Sequence, residues 1–155
     1  MKSRVLVLAV GNPSRGDDAL GPLLAERLEA AALADVEVIV DFQLQIEHAL
    51  DIEGRAVVIF VDAGTGTKAP FEWRGVEAVA DFTHTSHALS PGAVLATYVS
   101  CVGSTPPPAF LLCVRGNAFD LGAALSSAAE QHLEAAWLRL RRVCVAAAER
   151  ARLAA

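Results

Sequence analysis

Apolar residues in this chain come in short blocks whose spacing alternates between two periods. Val5–Val10 is an unbroken apolar run closed by Gly11, Asn12 and Pro13. Such a run suits a strand covered on both faces, as in a parallel sheet. Leu20, Leu23, Leu24 and Leu28 then recur at helical spacing, with Glu26, Arg27 and Glu29 on the opposite side, the pattern of a half-buried helix. Pro22 falls in the first turn of that helix, where its missing N–H costs least. The alternation repeats: residues 36–40 read as a second strand ending at Asp41, 46–52 as a short helix, and 56–61 (AVVIFV) as a third strand ending at Asp62. Strands separated by helices at this spacing imply right-handed crossovers and a parallel core.

Farther along, 71–79 alternates roughly and predicts an edge strand or hairpin, antiparallel to its neighbour. Residues 91–102 read as a helix. The proline triplet at 106–108 belongs to a loop, because proline cannot sit in a central strand. Residues 109–114 form a further buried strand. The tail is one long helix with a capping box from Ser127 and Glu130 and a buried stripe of Leu133, Trp137, Leu140, Cys144 and Ala147. No internal repeat, low-complexity tract or linker interrupts the pattern. The expectation is a single α/β domain over residues 1–155, with five strands in a mostly parallel sheet.

Composition narrows the function classes. The chain has 155 residues, 54% of them apolar and 20% charged, enough for one packed core. A net charge of −5 argues against a nucleic-acid partner, which calls for a basic stripe. The one basic run, Arg139, Arg141 and Arg142, sits on the amphipathic tail and reads as a solvated face. No stretch is long enough to cross a bilayer, and 5–10 is too short for the apolar part of a signal peptide, so a cytoplasmic location is expected. Cys101, Cys113 and Cys144 are odd in number and form no C-x-x-C. Neither a disulfide framework nor a thiolate metal site is written here, and each cysteine, set in an apolar neighbourhood, reads as a small buried hydrophobe.

Chemistry concentrates where strands end. The segment GNPSRGDDALGP, residues 11–22, joins a strand to a helix and so lies at the carboxyl edge of the sheet, where open α/β sheets bind ligands. Its glycines invite a phosphate reading. Yet Gly11, Gly16 and Gly21 do not make G-x-G-x-x-G, no Lys-Ser/Thr pair follows, and Asp17 and Asp18 would repel a phosphate. One aspartate ahead of a helix is commonly a cap. A pair suggests a division, one acid holding the loop and the other facing the cleft. Asp62 opens on the same edge, although an aspartate there can equally brace a turn, and Asp41 is a candidate by the same logic. His84 and His87 lie in the polar segment DFTHTSHALSPG ahead of a helix. Two carboxylates and an imidazole would make an open site suited to nickel or zinc. His48 and His132 fall in helices and read as packing or surface residues.

The opening VLAVGNPSRGDDALGP closely resembles the signature of the hydrogenase maturation endopeptidases, of the general form GN-x-x-x-x-D-[DE]-x-x-G. The apolar run ending in Asp62-Ala63, the TSHALSP segment and GNAFDLGAALSSAAEQHL follow in the family's order, so the resemblance covers nearly the whole chain. It implies a three-layer fold, a twisted five-stranded sheet with helices on both faces. It also implies an enzyme that removes a short C-terminal peptide from the nickel-loaded precursor of a nickel-iron hydrogenase large subunit. On this resemblance Asp18, Asp62 and His87 bind metal, and Asp18 or Asp62 serves catalysis, by an aspartic-type or a metal-assisted route. The nickel would come with the precursor, and no organic cofactor is implied. Many members carry a D-G-G-T type segment after the second strand, where this chain has DFQLQIEHAL from Asp41 to Leu50. That segment resembles the branch serving soluble NAD-reducing hydrogenases. Two rivals stand beside this reading: a non-catalytic nickel-binding maturation chaperone of the same fold, and a phosphate-dependent α/β enzyme.

Overall fold

The computed structural model describes residues 2–80 and 89–155. Along the chain run β1 (Val5–Val10), a short 3-10 turn (Gly16–Ala19), α1 (Leu20–Ala31), β2 (Val36–Asp41), α2 (His48–Ile52), β3 (Val57–Gly64), β4 (Phe71–Gly75), α3 (Pro91–Val102), β5 (Ala109–Arg115) and α4 (Ser127–Ala154). The strands form one five-stranded sheet in the order β2-β1-β3-β5-β4. All neighbours are parallel except β4, which runs antiparallel to β5 at an edge.

Strand alternation sends the two halves of each apolar run to opposite faces. Val5, Val7 and Ala9 of β1 meet Leu20, Leu24 and Leu28 of α1 and Leu133, Ala136, Leu140 and Cys144 of α4. Leu6, Leu8 and Val10 meet Ala49 and Ile52 of α2 and Val94, Leu95 and Tyr98 of α3. The unbroken valine-leucine run of β1 is thus explained by burial on both sides, and the architecture is the expected three-layer α/β domain. No helix among the described residues is long and apolar enough to cross a membrane.

Several local expectations change. The cap of α4 is Ser126, whose hydroxyl accepts from the Ala129 N–H; Ser127 is already helical. Helix α2 starts at His48 and not at Ile46, because the backbone from Gln45 to Leu50 enters it through tighter i→i+3 bonds. Strand β3 runs on through Asp62 to Gly64, so Asp62 sits within the ladder opposite Cys113 and not in a loop beyond it. Cys144 is fully buried, and burial pushes its thiol up to about 12. Cys101, in contrast, is exposed on α3 although Tyr98 and Val102 of the same helix pack on the core, so the apolar neighbourhood in sequence is not a buried one in space.

Candidate active site

The parallel register assembles the site. Val10 pairs with Asp41 on β2, while Ala9 pairs with Val61 on β3, which brings Asp62 level with Val10. Asp41, Val10 and Asp62 therefore form a row across three strands at their carboxyl ends. Val10 and Phe60 belong to the cluster beneath α2 and α3, so a residue in step with them faces that layer. At about 4.8 Å per strand spacing, Asp41 and Asp62 stand roughly 10 Å apart. The loop after β1 crosses this row.

Two glycines fix that loop. Gly11 has φ +151, and a Cβ there would collide with the main-chain oxygen of Asp18. Gly21 lies against the main-chain oxygen of Val10, so α1 packs directly on the end of β1. The glycines serve close approach of backbone to backbone, which is why they fit no phosphate motif.

The paired aspartates divide as the loop requires. Asp17 is fully buried. Its Oδ2 accepts from the Asn117 N–H at 2.7 Å, the Ala118 N–H at 3.0 Å and the Ser126 hydroxyl at 2.8 Å, while Oδ1 accepts from the Ser126 N–H at 2.8 Å. Burial acts to raise its pKa, but these bonds outweigh it and hold the carboxyl below the usual carboxylate range. Asp17 thereby fastens the loop to the 116–126 segment and the start of α4. Asp18 turns the other way. It is only partly buried, and its Oδ2 accepts from the Asn12 N–H at 2.6 Å, across the loop it belongs to.

Asp62 has a different environment. Its Oδ1 accepts from the Ala63 N–H at 2.8 Å. Burial is the main cause that pushes its carboxyl up to about 6; the Ala63 bond opposes this, and the nearby charge of Asp18 adds to it. Asp62 is therefore close enough to Asp18 to feel its charge, and it keeps its proton up to a pH of about 6. Beside Asp62 on the neighbouring strand, the Cys113 thiol lies 3.0 Å from the Thr67 hydroxyl, and its pKa is raised chiefly by burial.

Asp41 is engaged elsewhere. Its Oδ1 accepts from the Phe42 N–H at 2.7 Å, and its Oδ2 lies 3.4 Å from His48 Nε2. His48 is buried, in keeping with a packing role, and its Nδ1 accepts from the Gln45 N–H at 2.9 Å. His132 on α4 is tied through Nδ1 to the Arg115 carbonyl at 2.9 Å. His84 and His87 fall outside the described residues. Leu89, just beyond them, packs on the same layer beneath α2 and α3. Among the described residues no group of three or more histidines, cysteines and acids forms a metal site; Asp18 and Asp62 supply two oxygen donors.

Sequence reasoning missed the partners of Asp17. Asn117, Ala118 and Ser126 act mainly through main-chain N–H groups, which leave no residue-type signal. The GNAFD segment at 116–120 was visible only as part of a resemblance.

No family model and no curated protein matches the chain. Solved structures do. The chain is similar to the hydrogenase maturating endopeptidase HybD from E. coli, at 25% identity and a TM-score of 0.71, over 88% of this chain and 89% of that one. It is similar to a hydrogenase 2 maturation peptidase from a Thaumarchaeota archaeon, at 25% identity and 0.64, over 92% and 99%. The nickel-iron hydrogenase maturation protease HycI from Thermococcus kodakarensis shares the fold at 23% identity and 0.68, over 96% and 94%. The chain thus shares its fold end to end with solved hydrogenase maturation endopeptidases, with the 11–22 loop built around its two acids.

Proposed function

We propose that this protein is a peptidase that removes a C-terminal peptide from the precursor of a nickel-iron hydrogenase large subunit, acting in the cytoplasm. The observation that carries this reading is the coupled acid pair. Asp62, with its carboxyl raised to about 6, stands beside Asp18 at the carboxyl edge of a fold shared with named maturation peptidases. A carboxyl of raised proton affinity beside a second carboxyl suits general acid-base hydrolysis, one drawing the proton from water while the other gives its proton to the leaving amine.

In this reading the precursor's nickel is part of the substrate. Asp18, Asp62 and His87 form the incomplete ligand set that meets it, and a precursor without nickel is passed over. The oxygen-nitrogen donor set suits a borderline divalent ion. The Asp41–Leu50 segment resembles the branch serving soluble NAD-reducing hydrogenases, and Phe42, 68% exposed, stands open to meet a client of that type. Replacing 42–45 by a glycine-rich segment should change client choice, and unchanged cleavage of the same precursor would remove that refinement.

The test is the mass of a nickel-loaded precursor before and after incubation. Loss of a C-terminal peptide, and no loss from the nickel-free precursor, is the expected result. Stable binding with no loss of mass would favour the maturation-chaperone alternative. Asp62→Asn separates the mechanisms: binding kept with cleavage lost points to acid-base work, and loss of both points to metal recognition.

A further inference from the structure

The segment between β2 and α2 is short, and it and the outer face of α2 present apolar side chains outward while Leu44 is buried. Phe42 is 68% exposed, Ile46 54% and Leu50 60%, a concentration of exposed apolar side chains that a monomer gains nothing by presenting. Its base is adjacent to the site. Gly11, Pro13, Pro22, Val40, Asp41 and Phe42 line a depression of about 200 Å³, so the loop carrying Asp18 forms one wall and the segment forms the other. The position of the segment sets the shape of this depression.

Two buried side chains hold the segment: Leu44, packed in the core cluster beneath α2 and α3, and His48. His48 Nδ1 accepts from the Gln45 N–H at 2.9 Å. A nitrogen that accepts carries no proton, so the proton of the neutral ring is on Nε2, which faces Asp41 Oδ2 at 3.4 Å. Asp41 in turn accepts from the Phe42 N–H through its other oxygen and from the Gly11 N–H through its main-chain oxygen. His48 thus ties both ends of 42–45 to the end of β2, which is bonded to Gly11 where the active-site loop leaves β1. Neither the acid pair nor the metal set described above uses it.

We infer that His48 is a positioning residue for substrate: it fixes the 42–46 segment so that Phe42 and Ile46 are presented, ready ordered, to an apolar surface of the precursor. The inference rests on the peptidase reading for its substrate. Ordering a loop in advance removes a cost that binding would otherwise carry. Loss of His48 therefore acts on the affinity for precursor and leaves the chemical step alone.

The test compares His48→Leu, His48→Asn and His48→Gln with the wild type, using nickel-loaded precursor, by precursor Kd, KM and kcat together, with Tm and hydrogen exchange at the Gln45 amide. The asparagine oxygen can take the place of Nδ1, whereas the glutamine amide reaches one bond farther. His48→Leu and His48→Gln should raise Kd and KM about tenfold, the effect of one lost hydrogen bond and a loosened loop, with kcat within about twofold and faster exchange at Gln45. His48→Asn should restore Kd and KM to near wild type. If His48→Leu does not fold, the Asn-Gln pair decides alone. Equal Kd across all variants, or a fall in kcat at constant KM, overturns the inference. A wild type that binds precursor without cutting it overturns the peptidase reading and leaves His48 to be judged on Kd. A wild type that does neither overturns both.

Discussion

Asp62→Asn should make the protein more stable at neutral pH while abolishing processing. In the folded chain the Asp62 carboxyl is raised from 3.8 to about 6, chiefly by burial. At about 1.4 kcal/mol per tenfold change, the charged form costs up to about 3 kcal/mol at pH 7 and above. Asparagine removes the charge, and its Oδ1 keeps an acceptor for the Ala63 N–H. The site is partly exposed, and solvent screening brings the expected gain to about 2 kcal/mol, or about 4–8 °C in Tm for a domain of this size. The sign follows from proton uptake. Between pH 3.8 and about 6 the native state binds more protons at this residue than the unfolded chain does, so wild-type stability from this group falls as pH rises through that window. The advantage of Asp62→Asn is therefore largest above pH 7, near half its full size at pH 5, and small at pH 4. Urea unfolding of both proteins at pH 4.5, 5.5, 7 and 8 measures it. A variant equal to or weaker than wild type at pH 8, or a gap that does not change with pH, refutes the reasoning.

The two neighbouring acids should behave oppositely. Asp17→Ala leaves a buried gap and strands three part-buried N–H groups and a hydroxyl, and should cost about 3–5 kcal/mol of stability in urea unfolding. A loss under about 1 kcal/mol would contradict a clamp. Asp18→Asn should change stability by less than about 1 kcal/mol and stop cleavage in the precursor mass assay; full cleavage would remove Asp18 from the machinery. Gly11→Ala places a methyl on the Asp18 carbonyl at a φ that side chains avoid, and should lower stability by about 3 kcal/mol or more; a Tm within a degree of wild type would show that the loop has room to move.

The sheet was legible because burial on both faces writes itself into runs such as 5–10 and 56–61, and no alternative period competes. The antiparallel edge was legible too, since Phe71–Gly75 is only half apolar. Where side chains replaced backbone as the partner, legibility failed. Ser127 looked like the cap because Glu130 stands three residues later, but Ser126 is bound to both Asp17 and Ala129 and wins the position. The split between Asp17 and Asp18 was foreseeable as a division of labour, but its direction was not, because it depends on amides a hundred residues away. His48 was read correctly as a packing residue. Its hold on Gln45 could not be read, since a ring nitrogen bound to a main-chain N–H has no sequence pattern.

The distance in sequence between Asp17 and its partners has a consequence for how the protein is made. The loop that carries Asp18 leaves the ribosome early, but the groups that lock it, from Asn117 to Ser126, follow 100 to 109 residues later. At about 5–20 residues per second, that is an interval of about 5–20 seconds. Through it the first loop has its glycines and its acids but not its anchor, so a growing chain shorter than 126 residues holds a sheet in assembly and no finished site. Competence for cutting is among the last properties this chain acquires during synthesis.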